Sequence, residues 1–170
     1  MPALSRSLER FPPSTIASIF ALATRLKEQG RDIVNLSTGE PDFDTNVEVR
    51  NAAKRAIDEG QTRYTPVDGT TALKKAIQKK FAAENGLDYA LDEIVVDSGA
   101  KPLLAHIMLA LLDPGDEVVI PTPCWTSHPG AVRFCGATPV LAETREDRDF
   151  KLLPEELEPL LGPKVKLLIL

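Results

Sequence analysis

Apolar residues at Ile16, Ile19, Phe20, Ala23 and Leu26 recur at helical spacing. They predict a helix that opens after the stop-and-cap signal Pro12-Pro13-Ser14 and closes at Gly30. Ile33 to Leu36 reads as a short strand, and Ser37 to Thr45 is too polar and broken for either regular state. A second helix runs to about Glu59 and stops at Gly60, and Gln61 to Thr70 is again irregular. Next comes a lysine-rich helix that finishes near Asn85-Gly86. Its apolar positions are Leu73, Ala76, Ile77 and Phe81, so Lys74, Lys75, Lys79 and Lys80 read as its wet face.

From Glu93 onward the rhythm changes. Strands are expected at Glu93–Val96, Val118–Ile120, Thr138–Leu141 and Val165–Leu170. Between them lie helices at Gly99–Leu112, Thr126–Phe134 and Pro154–Leu161. Strands alternating with helices across short loops predict an α/β fold with a largely parallel sheet. The last residues, Leu167-Leu168-Ile169-Leu170, have the pattern of a fully buried strand. A buried strand without a closing loop leaves a sheet edge uncovered, so the sequence is expected to be cut inside a domain.

Composition narrows the function classes. The 170 residues suffice for a sizeable core, and 43% hydrophobic with 26% charged residues is ordinary for a globular protein. Twenty basic against 25 acidic side chains give a net charge of −5, with no long run of one sign, so nucleic acid is not an expected partner. The longest uncharged apolar stretch, Pro102 to Leu112, is too short to cross a bilayer, and no membrane association is expected. Cys124 and Cys135 read as reduced thiols in a cytoplasmic protein, and neither cysteine sits in a metal-ligand pattern.

Four segments carry candidate chemistry. Asp97-Ser98-Gly99-Ala100-Lys101-Pro102 follows a strand and opens a helix. The first turn of a helix carries N–H groups without intrahelical partners and a partial positive charge, which suits phosphate. Taken alone, the simpler reading of Ser98 is a helix cap. Pro121-Thr122-Pro123-Cys124-Trp125 lies at the C-terminal end of the next strand, where open α/β sheets bind ligands. Trp125, the only tryptophan, could stack on a flat ring or anchor its loop on the core. Phosphate donors and an aromatic plate at neighbouring strand ends would together suit a phosphorylated aromatic ligand. Thr38-Gly39-Glu40-Pro41 can offer a backbone N–H to a carboxylate, and Arg63-Tyr64-Thr65-Pro66 places an aromatic hydroxyl on a loop; both also serve as ordinary turns. His106, among Leu103, Leu104, Ile107 and Met108, reads as a packed helix histidine, whereas His128 comes three residues after Trp125. Glu155, Glu156 and Glu158 read as the solvated face of a helix.

These segments occur in a recognisable order. Leu36-Ser37-Thr38-Gly39-Glu40-Pro41-Asp42-Phe43-Asp44-Thr45 resembles the opening motif of the class I/II aminotransferases. So do Tyr64-Thr65-Pro66 with Gly69, Ser98-Gly99-Ala100-Lys101, Asp113-Pro114-Gly115-Asp116-Glu117-Val118 and Pro121-Thr122-Pro123-Cys124-Trp125. The resemblance spans essentially the whole chain and looks closest to the bacterial aspartate aminotransferases. It implies the pyridoxal-phosphate (PLP) dependent transferase fold of type I, a three-layer α/β/α arrangement. Residues 1–45 would be an N-terminal arm and small-domain segment, and 46–170 an incomplete part of the large cofactor domain. It implies pyridoxal 5'-phosphate as cofactor, held by Gly99, Ala100 and Lys101 around its phosphate and by Trp125 stacked on its ring. Gly39 and Trp125 would face the substrate, with Gly39 binding its carboxylate. Tyr64 would reach the phosphate of a partner subunit, which implies a homodimer with shared active sites. The implied reaction moves an amino group between an L-amino acid and a 2-oxo acid; a C–S lyase of the same fold and a non-catalytic fragment are the alternatives. In the family the Schiff-base lysine comes beyond the position of Leu170, so Lys101 is not assigned that role and this stretch alone is not expected to transaminate. Ile16, Cys124 and His128 depart from hydroxyl-bearing residues usual in aspartate-using relatives, leaving room for an apolar or aromatic donor.

Overall fold

The computed structural model describes residues 5–10, 15–37 and 39–170. The expected cap at Pro12-Pro13-Ser14 lies outside the described residues, as does Thr38. The chain divides into two compact units: Met1–Ser37 with Leu104–Leu170, and Thr38–Leu103.

In the first unit, α1 spans Thr15–Glu28. Its end is sealed by the Gly30 N–H donating to the Lys27 carbonyl and the Arg31 N–H to the Leu26 carbonyl, so these last carbonyls are satisfied. The sheet is built from β1 (Glu117–Thr122), β2 (Thr138–Glu143) and β3 (Val165–Leu168), in the order β2-β1-β3 with both pairings parallel. The central strand is the most buried, and Val118, Val119 and Ile120 are all in the core. Parallel neighbours need crossovers, supplied by α5 (Ser127–Phe134) between β1 and β2 and by α6 (Pro154–Leu157) between β2 and β3. Met108 and Leu112 at the C-terminal end of α4 (Ala100–Leu111) and beyond it join Val118, Ile120, Val132 and Ala137 in one core cluster.

The Asp113-Pro114-Gly115-Asp116 turn joins α4 to β1 and has a definite structural task. The Asp116 carboxylate accepts the Asp113 N–H at 2.7 Å and pairs with the Lys166 ammonium at 2.8 Å, tying the start of β1 to β3. The Lys166 hydrogen bond holds the Asp116 carboxyl below the usual carboxylate range, and the same bond raises the Lys166 ammonium above its ordinary value. The Asp116 contribution is therefore present above the ordinary carboxylate pKa and is lost as pH falls through its lowered folded value. The Lys166 contribution is present below its ordinary value and is lost as pH rises through the raised one. Lys166→Met should accordingly lower the urea midpoint at neutral pH, with the deficit shrinking as pH falls through the Asp116 transition. A deficit that persists unchanged at low pH would show that packing, not charge, is what Lys166 contributes.

In the second unit, α2 spans Val47–Asp58, capped by Asn46, whose side chain accepts the Glu48 N–H at 2.8 Å. α3 spans Thr71–Lys80 and continues as a π-helical turn, Phe81–Asn85, that ends at left-handed Gly86. Here the predicted helix face needs correction. Lys74 is buried, and Ile77, Gln78 and Phe81 are half-buried on the same stripe, whereas Leu73 and Ala76 are exposed. The inner stripe is 74-77-78-81, because the Asp68 carboxylate receives the Lys74 ammonium and so lets a lysine face inward. Lys75, Lys79 and Lys80 are exposed, as expected.

Two expected strands do not form. Residues 33–36 are irregular and pair with none of the three described strands; Val34 and Leu36 are almost fully exposed. Residues 91–93 form a 3-10 turn, and the adjoining residues 94–97 are joined to the 61–70 loop by a bond from the Val96 N–H to the Asp68 carbonyl rather than by a ladder. A β-pattern becomes a strand only when a partner backbone bonds to it in a repeating ladder, and neither segment has such a ladder among the described residues. The smaller corrections have local causes. His106 is exposed rather than packed, since Met108 and Leu112 take the inward positions of that helix. β3 ends at Leu168, and the last helix tightens to 3-10 geometry at Glu158–Leu160. Glu156 is not merely solvated: it accepts the Leu153 N–H at 3.1 Å and pairs with Arg148 at 2.8 Å.

Candidate functional site

The helix tip at α4 comes first. Residues 94–99 lead out of the second unit's interior, where Ile94 is buried, into the first turn of α4. Gly99 has φ +120°, a conformation that L side chains rarely adopt, yet an added Cβ would meet nothing within 4 Å. Backbone conformation rather than crowding therefore requires glycine there. The open space leaves the Gly99 backbone accessible, and Ala100 and Lys101 come next as the first two helical residues. Their N–H groups precede the first i→i−4 bond of the helix, and the Leu103 N–H already returns to the Gly99 carbonyl at 3.3 Å. Ser98 is held from its other side: its N–H donates to Asp97 Oδ1 at 2.6 Å and its hydroxyl to the same oxygen at 3.3 Å. Asp97 thus orients the residue before Gly99, a task that its place in the motif did not signal.

Beside this segment, in the same unit, lies the 61–70 loop. Tyr64 and Val67 are fully exposed. The loop is closed at its far end by the Gly69 N–H donating to the Pro66 carbonyl at 3.1 Å. The Asp68 carbonyl accepts the Val96 N–H at 3.1 Å, and the Asp68 side chain pairs with Lys74. That hydrogen bond from Lys74 is the main cause that holds the Asp68 carboxyl below its usual range. Gly69 has φ +105°, and a Cβ there would come within 2.9 Å of Val96 Cβ and Cγ2. The Tyr64 loop and the approach to the helix tip are therefore locked side by side. Gly39, also in this unit, is exposed, with nothing within 4 Å of an added Cβ.

Trp125 belongs to the other unit, where the strand β1 delivers it through a cis Thr122–Pro123 bond. Its side chain is 44% exposed, so it is not simply a plug in the core. The His128 ring stands edge-on to the indole at 5.8 Å between centroids, and the His128 N–H donates to the Trp125 carbonyl at 3.0 Å. A groove of about 510 Å³ runs past Pro123, Trp125, His128, Phe150 and Lys151. Phe150 and Lys151 carry no sequence signal of this placement; Asp149 and Phe150 both take left-handed backbone values, with no glycine to mark the turn. Cys124 and Cys135 are half-buried and unpaired by a disulfide, and burial pushes the Cys135 thiol up. Among the described residues no three His, Cys, Asp or Glu side chains cluster as metal ligands, and no helix is long and apolar enough to cross a membrane.

Of the residues singled out from sequence, Gly39, Tyr64, Gly99, Ala100 and Lys101 fall in one unit and Trp125 in the other. Residues 31–170 match the family model for aminotransferase class I and II. The chain belongs to the class I and II aminotransferase family. Within that family it is 46% identical, over 166 residues, to the aspartate/prephenate aminotransferase of Cereibacter sphaeroides, covering 98% of this chain and 42% of that protein. It is 48% identical over 157 residues to the aspartate aminotransferase of Rhizobium meliloti, covering 92% of this chain and 38% of the relative. Among solved structures, that of a Rhizobium meliloti aspartate aminotransferase superposes with a TM-score of 0.93 at 45% identity, over 99% of this chain and 42% of that one. The Thermus thermophilus aspartate aminotransferase with maleate gives 0.95 at 40% identity, over 100% and 44%. The fold is thus that of the aspartate aminotransferases, as the motifs predicted, and the chain spans about two fifths of the length of those relatives.

Proposed function

We propose that the protein to which this chain contributes is a PLP-dependent aminotransferase that moves an amino group between an L-amino acid and a 2-oxo acid. The observation that carries the proposal is 46% identity across 98% of the chain to a protein named as an aspartate/prephenate aminotransferase. Aspartate and prephenate are accordingly the first substrates to test, and the isoleucine at position 16 keeps apolar and aromatic donors in the panel.

The residues present fit the cofactor's chemistry. The accessible Gly99 backbone and the first turn of α4 match a dianionic phosphate, which the helix dipole favours by ~0.3–2 kcal/mol. Lys101 adds a cationic side chain to the same turn. The half-exposed indole of Trp125 suits the face of a pyridine ring, and its His128 neighbour limits its rotation. Gly39 would offer its N–H to the substrate carboxylate. When bound, PLP supplies the electron sink for cleavage at the amino acid's α-carbon; in this reading the Gly99 turn would take its phosphate, Trp125 its ring and Gly39 the substrate carboxylate. Full exposure of Tyr64 supports a role for its hydroxyl at a partner subunit's phosphate, hence a homodimer. Two thiols without a disulfide support a cytoplasmic setting.

The complete protein should bind PLP and convert aspartate to its 2-oxo acid only while a second 2-oxo acid is converted to an amino acid. A sulfur-bearing amino acid cleaved to pyruvate, ammonia and a thiol without an acceptor would replace this reading with a C–S lyase, and no PLP binding would remove both. Trp125→Ala should lower kcat/KM by up to about tenfold, the equivalent of the ~1.5 kcal/mol upper value for an aromatic pair. Trp125→Phe should recover part of the loss. Steady-state kinetics with the same amino donor make the comparison, and an unchanged kcat/KM would remove Trp125 from the site.

A further inference from the structure

We infer that Lys74 is a positioning residue for the phosphate end of the site, clamping the Tyr64 loop to the strand-like segment that feeds the Gly99 helix tip. The inference rests on the PLP reading above and adds a residue that none of the sequence motifs contains. Lys74 is the buried charged residue among those described, at 6% exposure. Burying an ammonium is costly unless it is paired, and its partner is the Asp68 carboxylate, which remains about half-exposed. Asp68 is held twice more through its own backbone neighbourhood. Its carbonyl takes the Val96 N–H at 3.1 Å, and Gly69, next to it, packs so tightly on Val96 that a methyl group has no room.

The path of contacts is continuous. It runs from α3 through Lys74 to Asp68, across one hydrogen bond to Val96, and then through Asp97 and Ser98 to Gly99. The other end of the same loop is Tyr64. Residues 94–97 make no ladder with the three strands, and this cross-bond and the Gly69 contact fasten the approach to the helix tip to the 61–70 loop. Removing the Lys74 charge frees Asp68, and both the loop and the tip then sample more backbone states. A phosphate site made of backbone N–H groups loses affinity when those groups are no longer held in one arrangement.

The test uses the complete protein with Lys74→Met, Lys74→Arg, Asp68→Asn and the Lys74→Met/Asp68→Asn double variant. Two readouts are needed: amide hydrogen exchange of the cofactor-free protein, and PLP affinity from titration of the bound-cofactor absorbance. Lys74→Met should speed exchange of the hydrogen-bonded Val96 and Gly69 amides by about tenfold while β1 stays protected. PLP affinity should fall by a similar factor, Lys74→Arg should restore most of both, and the double variant should lose no more than either single change. Unchanged exchange at Val96 and Gly69 with unchanged PLP affinity, in a folded Lys74→Met protein, overturns the inference while leaving the PLP reading intact. If Lys74→Met does not fold, Asp68→Asn, altered at a half-exposed side chain, decides by the same two readouts. A wild-type protein that binds no PLP refutes the underlying reading instead, and hydrogen exchange then still reports whether the clamp exists.

Discussion

Replacing Ile120 by aspartate should leave the protein unable to accumulate in folded form, and replacing it by alanine should cost about 2–5 kcal/mol. Ile120 is 1% exposed on the central strand, in one cluster with Met108, Val118 and Val132. Alanine removes buried methylenes and leaves a void that the strands on either side, β2 and β3, can close only in part. Aspartate in the same place puts a carboxylate into a cluster of apolar side chains, a cost of several kcal/mol against a total stability of ~5–15 kcal/mol. Denaturant midpoints for the alanine variant and the soluble fraction for the aspartate variant make the comparison. An alanine variant within ~0.5 kcal/mol of the parent would mean that this core is not close-packed.

Gly69→Ala should be the most damaging of the glycine substitutions near the site. The residue stands at φ +105°, where a Cβ costs ~1–2 kcal/mol. The new methyl would also come within 2.9 Å of Val96 Cβ and Cγ2, and relieving that contact costs a further ~1–3 kcal/mol. Gly99→Ala is the internal control. It has the same conformational handicap at φ +120° but nothing within 4 Å, so only the backbone part of the loss is expected. Thermal melting of both variants should rank Gly69→Ala well below Gly99→Ala. PLP affinity should fall in Gly69→Ala as well, because the displaced Val96 shifts the segment leading to Gly99. Equal melting temperatures would show that Val96 moves aside freely.

Much of this molecule was legible from residue pattern. The helices at 15–28, 47–58, 71–80 and 100–111 and the strands after residue 116 announced themselves through periodicity, glycine stops and apolar runs. Those signals are local, and the structures they specify are local or nearly so. The local setting of the proposed site residues was legible because they sit in short contiguous motifs: a glycine before a helix, a tryptophan after a strand, a tyrosine in a proline-containing loop.

What failed was long-range in origin. Residues 33–36 and 93–96 have strand composition, but pairing depends on a neighbouring backbone that no periodicity encodes. Lys74 has the residue type of a solvated face, and only the placement of Asp68 lets it turn inward. The groove beside Trp125 depends on Phe150 and Lys151, which reach it through a left-handed turn without glycine.

By itself, then, the order of amino acids determined the family and most of the succession of helices and strands, and it supplied the groups proposed for phosphate, ring and carboxylate. Tertiary structure alone decided which face of α3 is buried, which extended segments pair, and that the Tyr64 loop is fastened to the helix tip. The division has one cause: helix periods, caps and turns are settled within a few residues, whereas burying a charge or pairing a strand requires a partner from elsewhere in the chain.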